Sequence, residues 1–90
     1  TVTLYSEDFS GPFAKAVQDG VTAATGAYSR GTSMQGLAVC RVYECPSILV
    51  ELGFVSNPNE YESLASDRYI ALEAKGIANG IVAYLRSNGT

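Results

Sequence analysis

The stretch PSILVELGFVSNPNE, residues 46–60, decides how the rest of the chain is read. Ile48, Leu49 and Val50 form a β-prone run that delivers a carboxylate, Glu51, before apolarity resumes at Leu52, Phe54 and Val55. Apolar residues in succession over 47–52 predict a strand covered on both faces, as in an α/β sheet. Gly53 ends it. Asn57, Pro58 and Glu60 then have the spacing of a helix start: N-cap, first-turn proline and the returning partner of a capping box. A carboxylate closing such a strand before a glycine turn stands where open α/β sheets put working residues. The alternative is a structural carboxylate bonded to backbone amides or to Arg41. The residues alone leave both open.

Upstream, Val2 and Leu4 alternate with Thr1, Thr3 and Tyr5, the period of a strand with one buried face. Ser10 fits an N-cap with Pro12 in the first helical turn. Phe13, Val17, Val21 and Ala24 fall on one face of that helix, with Lys15, Gln18, Asp19 and Thr22 elsewhere, and Gly26 fits its stop. Residues 27–36 have no period and read as an irregular connection. Residues 37–42 form a second short β-prone run.

Downstream, Ser66 fits the cap of a longer helix with the apolar stripe Ile70, Ala74, Ile77, Ala78, Ile81 and Leu85, and with Arg68, Lys75, Asn79 and Arg86 on other faces. Gly76 and Gly80 lie inside it, where each costs about 1 kcal/mol against alanine. Glu73, Lys75 and Asn79 interrupt the run, so the glycines predict close packing against a sheet. The order is β-α-β-β-α-α in one α/β domain, without repeats or a dividing linker.

Composition excludes several functions. The chain has 90 residues, 47% of them hydrophobic and 17% charged, with a net charge of −3 and no run of Lys or Arg. Nucleic-acid and anionic-membrane surfaces need such a basic patch. No apolar run approaches the roughly 20 residues of a membrane span. Thr1-Val2-Thr3 opens the chain without an initiator methionine, so a longer protein is expected as its source. The chain contains no histidine, which removes every histidine-based general base, triad and metal site. Cys40 and Cys45 are too few for a structural zinc site. They leave open a disulfide across 41–44 or two small buried thiols at strand positions.

The other carboxylates have ordinary roles. Glu7 and Asp8 fall in a strand-to-helix turn, Glu60 caps, and Asp67 suits a helix N-terminus. Asp19, Glu62 and Glu73 belong to solvated helix faces. Serine and cysteine nucleophiles lack a histidine partner, and Arg30-Gly31 reads as a surface arginine step able to meet an anion.

Val50-Glu51-Leu52-Gly53-Phe54-Val55-Ser56-Asn57 resembles the Val-Glu-x-Gly-Phe-x-Ser-Asn motif of the zinc-dependent N-acetylmuramoyl-L-alanine amidases, the type-3 amidase family of cell-wall hydrolases and phage endolysins. Phe13-Ala14 with Val17, Arg30-Gly31, Val39-Cys40-Arg41 and the stretch IANGIVAY over 77–84 are similar to that family's helix, arginine-glycine step, next strand and closing helix. Cys40 stands where the family more usually has leucine.

The resemblance implies part of a mixed-sheet, three-layer, zinc-hydrolase-like amidase domain, with residues 1–90 as its C-terminal half. It implies peptidoglycan as substrate, cleavage between N-acetylmuramoyl and L-alanine, and a site of action outside the cytoplasm, whether as secreted autolysin or as endolysin released at lysis. It implies zinc held by two histidines and a glutamate of the family's first half. The metal ligands are therefore expected outside this chain, on the missing N-terminal half that is its partner in the fold. This chain alone is expected to bind no zinc and to be inactive. Glu51 falls on the family's catalytic glutamate, which takes a proton from the attacking water and passes it to the leaving nitrogen; Arg41 falls near the cleft, with a minor substrate role. A truncated, non-catalytic module serving wall binding or regulation is the alternative.

Overall fold

The computed structural model describes residues 1–41, 44–53 and 66–87. Its elements are β1 (Val2–Tyr5), α1 (Gly11–Thr25), β2 (Thr32–Met34), β3 (Leu49–Glu51) and α2 (Asp67–Ser87), with single 3₁₀ turns at Asp8–Ser10 and Ala38–Cys40. The helix expected to start at Asn57 lies outside the described residues.

β1 is the central strand of a three-stranded mixed sheet ordered β2-β1-β3. It runs parallel to β2, with Thr3 opposite Thr32 and Tyr5 opposite Met34. It runs antiparallel to β3, with Val2 opposite Glu51 and Leu4 opposite Leu49. The mixed α/β sheet expected from the sequence is present. One strand lies elsewhere: residues 32–34, read as irregular, form β2, whereas the β-prone run 37–42 holds a 3₁₀ turn. Thr32-Ser33-Met34 pairs through its backbone and shows no apolar alternation, which hides it from a pattern search. β3 is an edge strand among the described elements and Leu49 is exposed, so it is not covered on both faces.

The central strand is the doubly covered one. Thr3 is 0% and Leu4 4% exposed, so both faces of β1 are buried and the expected single apolar face is not observed. Thr3 tolerates burial because its hydroxyl donates to Gln18 Oε1 of α1 at 3.0 Å. That bond identifies the sheet face on which α1 lies.

α1 starts behind Ser10, with Pro12 in its first turn. The Ser10 side chain makes no cap; it accepts from the Ser47 amide at 3.0 Å and pins the approach to β3. Gly26 ends the helix as expected, in the left-handed conformation at φ 71°, its amide donating to Thr22 O at 2.9 Å. Val17 and Val21 are buried on the expected face, and buried Gln18 joins them. Ser66 caps α2, its Oγ accepting from the Tyr69 amide at 3.4 Å.

The two helices pack on each other through glycine. The buried residues of α2 are Glu73, Gly76 and Gly80, while Ile70, Ile81 and Leu85 of the expected stripe are exposed. Gly76 and Gly80 face the backbone of α1 at Gly20, Val21, Ala16 and Val17, and not the sheet. Helices normally sit 8–10 Å apart, held off by side chains. Without side chains the two backbones close up, so the glycine face becomes the interface and the larger residues flank it. Phe13 and Tyr84 close the other end of this contact, ring centroids 5.0 Å apart and tilted by 45°. No described helix is long and apolar enough to cross a membrane.

Candidate active site

Glu51 ends β3 opposite Val2, the first residue of β1. Thr3 faces α1, so its partner Val50 shares that face, and alternation turns Glu51 with Val2 to the face opposite α1. The Glu51 side chain is half-buried, and no hydrogen bond or ion pair to its carboxylate is made among the described residues. Among the described residues the carboxylate is bonded neither to a backbone amide nor to Arg41.

Strand direction decides its neighbours. β3 is antiparallel to β1 and β2, so Glu51 lies at the amino end of the parallel pair and not at its carboxyl end. The general rule for open α/β sheets points to the opposite end, so position in the sheet alone does not mark this glutamate as a working residue. The segments that share its end are Thr1 and residues 29–31. The Arg30 amide donates to Thr1 O at 2.8 Å, and the Thr3 amide donates to Gly31 O at 3.2 Å.

Arg41 is placed elsewhere. It follows the 3₁₀ turn at Ala38–Cys40, which hangs from the far end of β1, where the Leu37 amide donates to Ser6 Oγ at 2.9 Å. The length of β1 separates that end from Glu51, about 13 Å at roughly 3.3 Å per residue. Arg41 is exposed, and its guanidinium lies over Gly36. The structure brings Arg30, and not Arg41, to the end of the sheet where Glu51 stands. Cys40 is buried in the 3₁₀ turn and Cys45 is exposed; neither is at a strand position and the two are not joined.

Two buried polar residues escaped the sequence reading. Gln18, assigned to the outer faces of α1, is 2% exposed and bonded at both ends of its amide. Glu73, assigned to a solvated face, is 3% exposed, and its Oε2 has no hydrogen-bond partner among the described residues. Burial raises the pKa of Glu73, and the amino group at Thr1 acts against that rise. The signal for both was small: a polar residue one position from a buried valine, and one three positions before a glycine.

The described residues do not fit a zinc ion. The chain has no histidine, and no group of three His, Cys, Asp or Glu side chains able to hold a metal exists among the described residues.

A three-stranded mixed sheet with two paired helices defines a piece of an α/β domain. Residues 2–83 match the family described as N-acetylmuramoyl-L-alanine amidase, and the chain belongs to that family. The protein YqiI of Bacillus subtilis (strain 168) is 30% identical over 88 residues, which cover 93% of this chain and 43% of YqiI. The crystal structure of N-acetylmuramoyl-L-alanine amidase from Clostridium difficile 630 superposes with a TM-score of 0.91 at 31% identity, over 98% of this chain and 49% of that one. The catalytic domain of CwlV, an amidase of the same name from Bacillus (Paenibacillus) polymyxa var. colistinus, gives 0.87 at 33% identity, over 94% and 48%. The chain thus spans less than half the length of each of these relatives.

Proposed function

We propose that the protein to which this chain contributes hydrolyses the amide between N-acetylmuramoyl and L-alanine in peptidoglycan, with Glu51 as general acid/base. The observation that carries the reading is the half-buried Glu51 carboxylate at a strand end, unpaired among the described residues, in a chain of the amidase family. Amide hydrolysis needs a group that takes a proton from the attacking water and returns one to the departing nitrogen. A single carboxylate within hydrogen-bond reach of both can do each in turn. Such a group needs a fixed backbone and a free side chain; pairing of Glu51 with Val2, and a carboxylate that no described residue holds, support the reading.

Zinc, implied for the intact domain, supplies an activated water when bound. Its ligands are assigned to residues outside this chain, which has no histidine and, among the described residues, no group of donors able to hold a metal. Peptidoglycan lies outside the cytoplasm, so the protein acts at the cell wall.

The test is Glu51→Gln in the complete protein, assayed as turnover of purified muropeptide per metal-loaded molecule. Glutamine keeps the shape but accepts no proton at neutral pH, and turnover is expected to fall by a factor on the order of 10²–10⁴. A variant within about threefold of wild type would remove Glu51 from the mechanism.

A further inference from the structure

Glu51 is the last residue of a three-residue strand, where a ladder frays most easily. Its pairing with β1 ends at Val2. One bond continues beyond the ladder: Thr1 Oγ1 donates to the carbonyl of Leu52 at 2.9 Å and holds the peptide that leaves Glu51. Thr1 is itself 5% exposed. Its carbonyl accepts from Gln18 Nε2 at 2.7 Å as well as from the Arg30 amide.

Gln18 uses its whole side-chain amide at this corner. Oε1 accepts from Thr3 Oγ1, and Nε2 donates both to Thr1 O and to Ser29 Oγ, the latter at 2.9 Å. The residues on either side of Val2, the partner of Glu51, are therefore bound by one buried glutamine. Apolar packing alone needs no amide here; a methionine of similar volume would fill the space. What the amide adds is a fixed location for the first residues of β1, and through Thr1 for the exit from β3.

We propose that Gln18 and Thr1 are positioning residues for Glu51: Gln18 fixes Thr1, and the Thr1 hydroxyl fixes the strand end that presents the carboxylate. The inference rests on the proposed acid/base role of Glu51. Neither residue is assigned contact with substrate; both act through the location of one carboxylate. Proton transfer requires that carboxylate within hydrogen-bond reach of its partner, and displacement by about 1 Å can cost up to about 10²-fold in rate.

The experiment uses the complete protein and four variants: Thr1→Val, Thr1→Ser, Glu51→Gln, and the double variant of Thr1→Val with Glu51→Gln. Valine keeps the shape and removes the donor; serine restores it. Thr1→Val is expected to lower kcat roughly tenfold with KM within about twofold, and Thr1→Ser to stay near wild type. In the Glu51→Gln background, Thr1→Val is expected to leave the residual rate unchanged, because the group it positions no longer works. Gln18→Met is a second route to the same pattern if Thr1→Val does not fold. A Thr1→Val variant with wild-type kcat overturns the proposal, as does an equal loss in both backgrounds, which marks a merely structural role. If Glu51→Gln is inactive while Thr1→Val is unaffected, only the positioning role fails. If Glu51→Gln turns over like wild type, the acid/base reading fails and the positioning role fails with it.

Discussion

Gly80 of α2 and Val17 of α1 meet backbone to backbone: a Cβ built on Gly80 would fall 2.5 Å from the Val17 Cα and 2.8 Å from the Ala16 carbonyl oxygen. Two effects oppose each other in Gly80→Ala. Alanine gains about 1 kcal/mol of helix propensity. Against that, the new methyl meets main chain that cannot rotate aside, and overpacking costs about 1–3 kcal/mol. Gly76 has the same contact, 2.6 Å from the Val21 Cα, so the whole helix pair must separate to admit either methyl. The clash wins. Gly80→Ala is expected to lower the thermal midpoint by several degrees, read by calorimetry. An unchanged or raised midpoint would show that the helices do not approach this closely.

Glu73 makes the stability of the same helix pair depend on pH. Burial raises its pKa in the folded state, and the amino group at Thr1 opposes the rise; where the chain extends before Thr1, that opposing charge is absent. An acid whose pKa is higher folded than unfolded stabilises fully below the unfolded value, near 4.3 for glutamate, and the stability is lost as pH rises through the folded value. Denaturant midpoints are therefore expected to fall as pH rises from the ordinary glutamate range toward neutrality. Glu73→Gln is expected to flatten that fall and to exceed wild type in stability at pH 7. A Glu73→Gln variant with an unchanged pH slope would mean that Glu73 is solvated.

The two thiols offer a direct check of placement. Cys45 is exposed and Cys40 is 0% exposed, and neither is bonded to the other. A thiol reagent is expected to modify one cysteine quickly in the native protein and the second only with unfolding. No reaction before reduction would mean a Cys40–Cys45 disulfide, and two fast reactions would mean that the 3₁₀ turn at Ala38–Cys40 is open.

Those elements whose ends carry their own chemistry were legible in the sequence. Gly26 stops α1 with a positive φ, and Ser66 starts α2 with its hydroxyl. The run before Glu51 is β-branched and apolar and forms β3. What stayed hidden depends on neighbours far along the chain. β2 is a strand because β1 offers it a backbone, and its own side chains carry no period. The buried face of α2 is glycine, so its apolar residues point away from the contact that orders them. The direction of β3, which places Glu51 beside Thr1 and away from Arg41, is a property of the assembled sheet. Gln18 looks like a surface residue until Thr1, Thr3 and Ser29 converge on it.

The last prediction separates this chain from the metal chemistry of its family. A tetrahedral zinc site takes three or four donors, mostly imidazole and thiolate, with carboxylates as occasional members. This chain has no histidine and two cysteines. Of those, Cys40 is buried and Cys45 exposed, and no metal-holding group of three donors exists among the described residues. The 90-residue chain produced alone is expected to lose zinc on dialysis against a weak chelator, whereas the complete protein is expected to keep it. The measurement is zinc per chain by atomic emission, made on both proteins after the same dialysis. One zinc per 90-residue chain would place ligands within these residues and overturn the assignment of the metal to the rest of the domain. Loss of zinc from both would leave Glu51 without the activated water that the proposed reaction requires.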